Sequence, residues 1–188
     1  MQRCNWVSDD PLYQRYHDCE WGVPETRGAA LFEMLCLEGQ QAGLSWITVL
    51  KKRENYRAAF HGFDPHKVAR MDETDMARLM QDRGLIRHAG KLAAIIANAR
   101  AYLAMQASGE DFSQFIWSFV DNQPQVSHFI ESREAPTQTP ASLAMSKALK
   151  KRGFKFVGST ICYSFMQACG LVNDHITGCF RHPVNTSS

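Results

Sequence analysis

The stretch KALKKRGFKFVGSTICYSFMQACGLVNDHITGC, residues 147–179, decides the fold of this chain. It begins with the basic end of a helix, residues 147–152, and continues into a short turn bounded by Gly153 and Gly158. A second helical pattern of apolar residues follows the turn at once. We therefore predict a helix-hairpin-helix unit over about residues 147–170.

The composition of this turn favours an anionic ligand. Glycines lack a Cβ atom, so a bulky anion can approach their backbone closely. Ser159 or Thr160 is placed to cap the second helix, whose first amides and dipole attract an anion. Lys150, Lys151, Arg152 and Lys155 add positive charge at the same place. We predict that the two glycines, Ser159, Lys151 and Lys155 contact phosphate groups, as in a nucleic acid backbone. The alternative is an ordinary helical hairpin with a solvated basic face.

Charge is distributed unevenly along the sequence. Residues 141–188 contain six Lys and Arg but only one acidic residue, Asp174, whereas the rest of the chain holds 15 basic and 18 acidic residues. The net charge of the whole chain is only +2. The basic character is therefore local, as expected of an edge that binds a nucleic acid backbone.

The remaining sequence predicts an all-α fold in one domain, residues 1–188. Apolar residues recur at helical spacing through residues 28–60 and 87–107, and no alternating run is long enough for a sheet. The polar, proline-bearing segment 131–140 is expected to form a loop. No stretch reaches the roughly 20 apolar residues of a membrane span, and the start has no signal-peptide core. We expect a cytoplasmic location.

The first 25 residues form an arm rich in aromatic side chains, with one short helix at about residues 11–18. Trp6, Tyr13, Tyr16 and Trp21 each combine a large apolar surface with one polar atom. Any one of them could simply pack the arm onto the core. Four of them in so short a segment indicate that some line a pocket for a flat ligand.

Glu38 lies in an apolar segment, LEGQQAGLSWITVL, where burial is expected. A buried carboxylate is costly unless it is paired or used in chemistry. Gln41 and Ser45 follow at helical spacing and could share a polar face with Glu38, and Trp46 comes next. The alternative is a satisfied core carboxylate beside a core tryptophan.

Two pairs of metal-binding residue types stand at opposite ends of the chain. Cys4 and His17 form one pair, and His175 and Cys179 form the other. Together they make a Cys2His2 set, which suits a four-coordinate structural Zn²⁺ with no open position. Such a metal would staple the N-terminal arm to the C-terminal segment. Cys19 and His182 are competing candidates, although His182 is expected to be frayed because it lies near the end.

At this level of detail the sequence resembles the 3-methyladenine DNA glycosylase I family, within the helix-hairpin-helix glycosylase superfamily. The resemblance covers nearly the whole chain. It is carried by these motifs: Asp9-Asp10-Pro11-Leu12-Tyr13, Tyr16-His17-Asp18, Glu20-Trp21-Gly22-Val23-Pro24, Leu37-Glu38-Gly39-Gln40-Gln41-Ala42-Gly43-Leu44-Ser45-Trp46 and Gly153-Phe154-Lys155-Phe156-Val157-Gly158. The tail after Cys179 carries no motif of the family.

The resemblance implies one structural Zn²⁺ per chain on the Cys2His2 set, and a base pocket that contains Glu38. Around this glutamate it implies aromatic contacts to an extruded base, from Trp46, Tyr16, Trp6, Tyr13 and Trp21. It also implies that Asp174 is not the catalytic aspartate of other glycosylases in the superfamily. The tail after Cys179 is assigned no role.

The implied reaction is hydrolysis of the N-glycosidic bond of N3-methyladenine in double-stranded DNA. The base must leave the stack first, and Leu44 is the predicted wedge. No pocket motif offers a lysine for strand cleavage, so the enzyme is expected to be monofunctional. A monomer is expected as the default for a small enzyme that slides on DNA. Two alternatives are a zinc-stapled DNA-binding module without chemistry, and a zinc hydrolase, against which a closed set of four ligands argues.

Overall fold

Helices dominate the structure, a computed structural model that describes residues 1–186. The described residues contain ten α-helices, and the predicted helical class is confirmed. In chain order they are α1 Pro11–Cys19, α2 Gly28–Gln40, α3 Trp46–Ala59, α4 Pro65–Val68, α5 Glu73–Gln81, α6 Ala89–Ala107, α7 Phe112–Trp117, α8 Pro140–Lys151, α9 Ser159–Ala168 and α10 Pro183–Thr186. None of the helices in residues 1–186 is long and apolar enough to cross a bilayer.

Several helices begin where the local sequence supplies a cap. Asp10 and Asp64 each accept a hydrogen bond from a backbone N–H of the first turn and are followed by proline, which is favoured at the first helical position. Asp72 and Thr139 form reciprocal capping boxes at the starts of α5 and α8. These caps are local, since each side-chain oxygen reaches an amide only two or three residues away.

The core is centred on α2, which packs against α3, α6, α7 and α9. Leu31, Phe32, Leu35 and Leu37 of α2 are fully buried. An all-round apolar surface is typical of a helix enclosed by its neighbours. Because Glu38 follows directly on this apolar run, it is carried into the interior with it.

The structure departs from a purely helical chain at one place. Strands β1 (Gln125–Val126) and β2 (Val172–Asn173) pair in parallel, in the register Gln125 with Val172 and Val126 with Asn173. Two residues per strand are too few for any alternating pattern in the sequence to indicate. The pair nevertheless brings residue 127 beside residue 174, at the edge of the cavity described below.

Candidate active site and metal centre

One cavity, of about 160 Å³, collects the side chains that the sequence proposed for base binding. Trp6, Tyr13, Tyr16 and Trp21 reach it from the N-terminal arm, Glu38 from the end of α2, and Trp46 from the start of α3. The other lining residues are Gln41, Ser132, Ala135, Ser164, Gln167 and Asp174. The arm therefore forms one wall of this cavity rather than only covering the core.

Aromatic rings form a continuous wall around Trp6. Its ring centroid lies 4.9 Å from Tyr13, 5.0 Å from Trp21 and 6.5 Å from Tyr16. Tyr16 in turn lies 5.6 Å from Trp46. These tilted and edge-to-face arrangements are the favourable geometries for aromatic pairs. Aromatic rings carry π-electron density on their faces, so a cavity lined by them suits a flat or positively charged ligand.

Glu38 is 3% exposed, and its Oε2 atom is buried without a hydrogen-bond partner within residues 1–186. Burial alone raises the pKa of this carboxyl to about 8, because no neighbouring charge or donor offsets the loss of hydration. The indole nitrogens of Trp6 and Trp46 are also buried and unpartnered in the described part of the chain. Buried polar atoms are normally satisfied, so these three point to a ligand that would pair with them.

The predicted polar stripe beyond Glu38 forms only in part. α2 ends at Gln40, and Gln41 still lines the cavity. Ser45 does not: it is exposed, occupies the cap position of α3 and shares a hydrogen bond of 2.8 Å with Thr48. The turn between the two helices breaks the helical spacing on which that prediction relied.

Asp174 lines the cavity but is already satisfied by three donors. Ser127 donates to its Oδ1 at 2.7 Å, Gln167 donates to its Oδ2 at 2.9 Å, and the hydroxyl of Tyr163 also donates to Oδ2. A carboxylate held in this way supports the wall and has little freedom to act on a substrate. Ser164 and Gln167, three residues apart on α9, are lining residues that the sequence analysis missed, although their shared helical face was readable.

Cys4, His17, His175 and Cys179 meet in one buried cluster, with their candidate ligand atoms all within 4.8 Å of one another. The Sγ atom of Cys179 lies 3.5 Å from His17 Nε2 and 3.5 Å from His175 Nδ1, and Cys4 Sγ also lies 3.5 Å from His175 Nδ1. Zn–S and Zn–N bonds of about 2.3 and 2.05 Å at a tetrahedral angle would separate S and N by about 3.6 Å. The donor set and its spacing therefore fit a four-coordinate metal ion.

The free nitrogen of each histidine in the cluster has its own partner. His17 Nδ1 lies 2.8 Å from Asp18, which also receives a two-point contact from Arg3, and His175 Nε2 lies 2.9 Å from the carbonyl oxygen of Trp21. Such partners fix the ring orientation and tautomer of a metal ligand. The pKa of the Cys179 thiol is lowered, chiefly because its sulfur accepts a hydrogen bond from the thiol of Cys4.

The two competing metal candidates lie outside this cluster. Cys19 is exposed at the end of α1. His182 is not frayed as the sequence suggested: it is 1% exposed, and its Nε2 lies 2.9 Å from the carbonyl oxygen of Ser127. His182 therefore packs against the residues that follow β1. This contact joins distant segments, so the position of His182 near the chain end does not indicate it. The last two residues, 187 and 188, lie outside the described structure.

The cluster of two cysteines and two histidines adjoins the aromatic wall. The ring of Trp6 lies 5.3 Å from that of His17, and the ring of Trp21 lies 4.7 Å from that of His175. Trp6 also lies between two cluster residues in sequence. The position of the aromatic wall therefore depends on the same contacts that hold the four donors together.

The predicted hairpin joins α8 to α9, but its geometry differs in detail from the prediction. Gly153 has φ +92° as expected of a glycine turn, whereas Gly158 has φ −61° and the second left-handed residue is Phe156, with φ +54°. Gly158 itself occupies the cap position, and Ser159 is the first helical residue, so neither Ser159 nor Thr160 caps α9. The turn is held instead by Phe154 and Val157, which are both buried.

The charged residues of the hairpin divide into two groups. Lys151 and Lys155 are exposed and have no ion-pair partner within residues 1–186. Arg152 points the other way: it pairs with Glu110 at 2.7 Å and lies over the ring of Phe115. Its charge is therefore neutralised and does not contribute to the positive potential of the turn, contrary to the sequence interpretation.

Two buried residues of α6 hold the hairpin turn and the turn that follows α2. Asn98 accepts from the backbone N–H of Lys155 at 2.8 Å and donates to the carbonyl oxygen of the same residue at 3.3 Å. Lys91 donates to the carbonyl oxygens of Gln40 and Ala42 at 3.0 and 2.6 Å. The second contact fixes the turn that carries Leu44, which is 41% exposed. One helix thus positions both the hairpin and the Leu44 turn.

The hairpin also touches the helix that carries Glu38. A Cβ atom placed on Gly39 would lie only 3.2 Å from the carbonyl oxygen of Phe156 and 3.3 Å from its Cβ. The absence of a side chain at position 39 therefore allows the turn to approach the end of α2. The hairpin turn and the end of α2 are therefore in close contact beside Glu38.

Comparisons with known proteins agree with this geometry. A sequence model of a family described as methyladenine glycosylase matches residues 6–182. The chain is 70% identical to DNA-3-methyladenine glycosylase 1 of Escherichia coli (strain K12), over 98% of this chain and 99% of that protein. It superposes on a crystal structure of 3-methyladenine DNA glycosylase I with a TM-score of 0.96 and 71% identity, covering 97% of this chain and 100% of the other.

A further solved structure is that of a Y16F variant of 3-methyladenine DNA glycosylase I in complex with 3-methyladenine. The chain matches it with a TM-score of 0.92 and 41% identity, covering 97% of this chain and 98% of the other. The chain therefore belongs to the methyladenine glycosylase family.

Proposed function

We propose that this chain is a base-excision repair glycosylase that hydrolyses the N-glycosidic bond of N3-methyladenine in DNA, releasing the free base and leaving an abasic site. The observation that carries the proposal is the cavity in which Glu38 and the two indole nitrogens lack partners beside a wall of aromatic rings. Family membership supports the reaction class, and a relative at 41% identity has been solved with 3-methyladenine bound.

Selectivity follows from the positive charge of the methylated base while it is attached to the sugar. Trp46 and Tyr16 offer electron-rich ring faces, which favour a cation by about 0.5–2 kcal/mol. Glu38 accepts a hydrogen bond from the base and gains a favourable charge interaction as it ionises. Unmodified adenine is neutral, so it gains neither the cation–π attraction nor the charge interaction with Glu38. Because methylated adenine leaves as a neutral molecule, bond cleavage needs little help from a general acid.

Binding of DNA would use the α8–turn–α9 segment as a helix-hairpin-helix motif. In this proposal the backbone around Gly153 and Gly158, the first turn of α9 at Ser159, and the side chains of Lys151 and Lys155 contact phosphates. Leu44 enters the duplex where the target base has left the stack, at a cost of a few kcal/mol for unstacking. The exposure of Leu44 and the two free lysine charges support this assignment.

A structural Zn²⁺ on Cys4, His17, His175 and Cys179 would complete the site. When bound, the metal supplies folding free energy and no hydroxide for catalysis, since all four positions are taken by protein. The chain's own residues supply the positioning: the Cys–His cluster fixes the N-terminal arm, and the arm places Trp6 and Trp21 against the cavity. We further propose that residues 1–188 act as one domain and as a monomer, in the cytoplasm with bacterial DNA.

The experiment that tests this function measures free bases released from methylated duplex DNA, separated by chromatography. Release of 3-methyladenine with 7-methylguanine retained is expected. DNA binding without release of any base would instead favour the non-catalytic, zinc-stapled binding module. No lysine lines the cavity among the described residues, so borohydride should trap no covalent complex with DNA.

A further inference from the structure

A second concentration of positive charge lies outside the hairpin. A shallow cavity between α3 and the segment after α5 is lined by Lys52, Met80, Arg83, Leu85 and Arg87. Three of its five lining residues are cationic, and none is acidic. We call Lys52, Arg83 and Arg87 the α3–α6 basic patch, because they lie between the helix α3 and the start of α6.

The charges of this patch are not neutralised by carboxylates. Within residues 1–186, none of the three forms an ion pair, and Lys52 only reaches the carbonyl oxygen of Arg83 at 3.5 Å. The neighbouring Asp82 turns its carboxylate to the backbone N–H of Gly84 at 2.8 Å. By contrast, seven other arginines pair with carboxylates: Arg3, Arg27, Arg53, Arg57, Arg78, Arg133 and Arg152.

The patch borders the elements that face DNA in the proposed function. Arg87 directly precedes His88, whose ring lies 6.1 Å from that of Phe156 in the hairpin turn. Lys52 lies on α3, six residues after its first residue and about 9 Å along its axis from the Leu44 turn. Arg87 and Lys52 therefore lie on the segments that adjoin His88 and the Leu44 turn, respectively.

We propose that the α3–α6 basic patch binds the phosphate backbone of the DNA duplex next to the segment held by the hairpin. This inference rests on the proposed function. Successive phosphates of one strand are separated by about 3.4 Å along the duplex axis, so a distance of about 9 Å corresponds to two or three phosphates. Arginine is well suited to such contacts, since its planar guanidinium matches the phosphate geometry. The contact positions the duplex and is independent of base sequence.

The test compares the salt dependence of DNA binding by Lys52→Gln, Arg83→Gln, Arg87→Gln and the triple variant. The probe is a 20-base-pair duplex with one tetrahydrofuran abasic site, titrated between 50 and 200 mM NaCl. Each lost phosphate contact should reduce the slope of log K against log salt by about 0.9, so the triple variant should lose about 2.7. Binding of free 3-methyladenine should be unchanged, which also shows that the variants are folded.

The matched control is the double variant Lys67→Gln and Arg70→Gln. Both residues are exposed and make no ion pair within residues 1–186. They flank Ala69, whose carbonyl oxygen is held by Arg100, about 18 Å along α6 from His88. The control should keep the slope of the unmodified protein.

A wild-type slope in the triple variant would overturn the proposal. So would a reduction in the control of the same size per charge removed, which would mean a general effect of net charge. Failure of the unmodified protein to release 3-methyladenine would refute the proposed function alone. In that case a reduced slope in the triple variant only would still identify the patch as a DNA contact.

Discussion

Replacing Glu38 by glutamine should stabilise the protein while removing its selectivity for a cationic base. In the folded protein burial raises the pKa of this carboxyl from 4.5 to about 8. Between these two values the unfolded chain releases a proton that the folded protein retains. The free energy of unfolding of the wild type therefore falls as pH rises through this window.

The magnitude follows from the pKa difference. Each pH unit above 4.5 costs the folded state about 1.4 kcal/mol relative to a side chain that does not titrate, so the cost at pH 7 is about 3 kcal/mol. Glutamine has nearly the same shape and stays neutral. The Glu38→Gln variant should thus be only slightly more stable than the wild type at pH 5, and about 3 kcal/mol more stable at pH 7.

The assay is urea denaturation of both proteins at pH 5, 6 and 7, with the metal content checked at each pH so that only the carboxyl differs. A stability difference that does not change with pH would refute the reasoning, because it would mean that Glu38 is already ionised in the empty cavity. A second measurement compares binding of 3,9-dimethyladenine, a fixed cation, with that of neutral 9-methyladenine. The variant should lose most of the preference for the cation.

Three further predictions concern the metal, the wedge and α6. Cys179→Ser should lower the free energy of unfolding by roughly 4 kcal/mol. This is the value for losing a ligand that is present at a thousandfold excess over its Kd. The control Cys19→Ser should change neither metal content nor Tm. Leu44→Ala should reduce base release from duplex DNA about 10- to 100-fold, which is equivalent to the ~1.5–3 kcal/mol of burying a leucine. An equal loss of affinity for free 3-methyladenine would contradict a wedge role. Asn98→Ala should cost about 2 kcal/mol of stability by leaving the backbone of Lys155 unsatisfied. It should weaken DNA binding more than binding of the free base, and equal losses would show that Asn98 does not position the hairpin.

Helix starts and the choice of site residues followed from signals within short windows of sequence. Asp64 and Asp72 cap their helices because a side-chain oxygen reaches an amide two or three residues away. The burial of Glu38 could be expected because the residues immediately before it are apolar. The aromatic arm and the two Cys–His pairs were recognisable from residue type and spacing, and the structure brings each set together.

Other features depend on contacts between distant segments. The partner of Asn98 lies 57 residues away, and that of Lys91 lies 51 residues away, so no local pattern indicates either bond. The burial of His182 likewise depends on the 127–129 segment. Residue type alone favours glycine at a left-handed position, so no local pattern indicates that Phe156, rather than Gly158, adopts this conformation.

The sequence by itself determined the helical class, the starts of several helices and a candidate set of two Cys–His pairs, since these depend on spacing and on the chemistry of single side chains. Only the tertiary structure decided which polar atoms stay unpaired. Glu38 and Asp174 are both buried carboxylates lining one cavity, yet the first lacks a partner for Oε2 and the second has three donors. That difference arises from donors supplied by three separate segments, and it explains why Glu38 is the carboxyl available to a ligand.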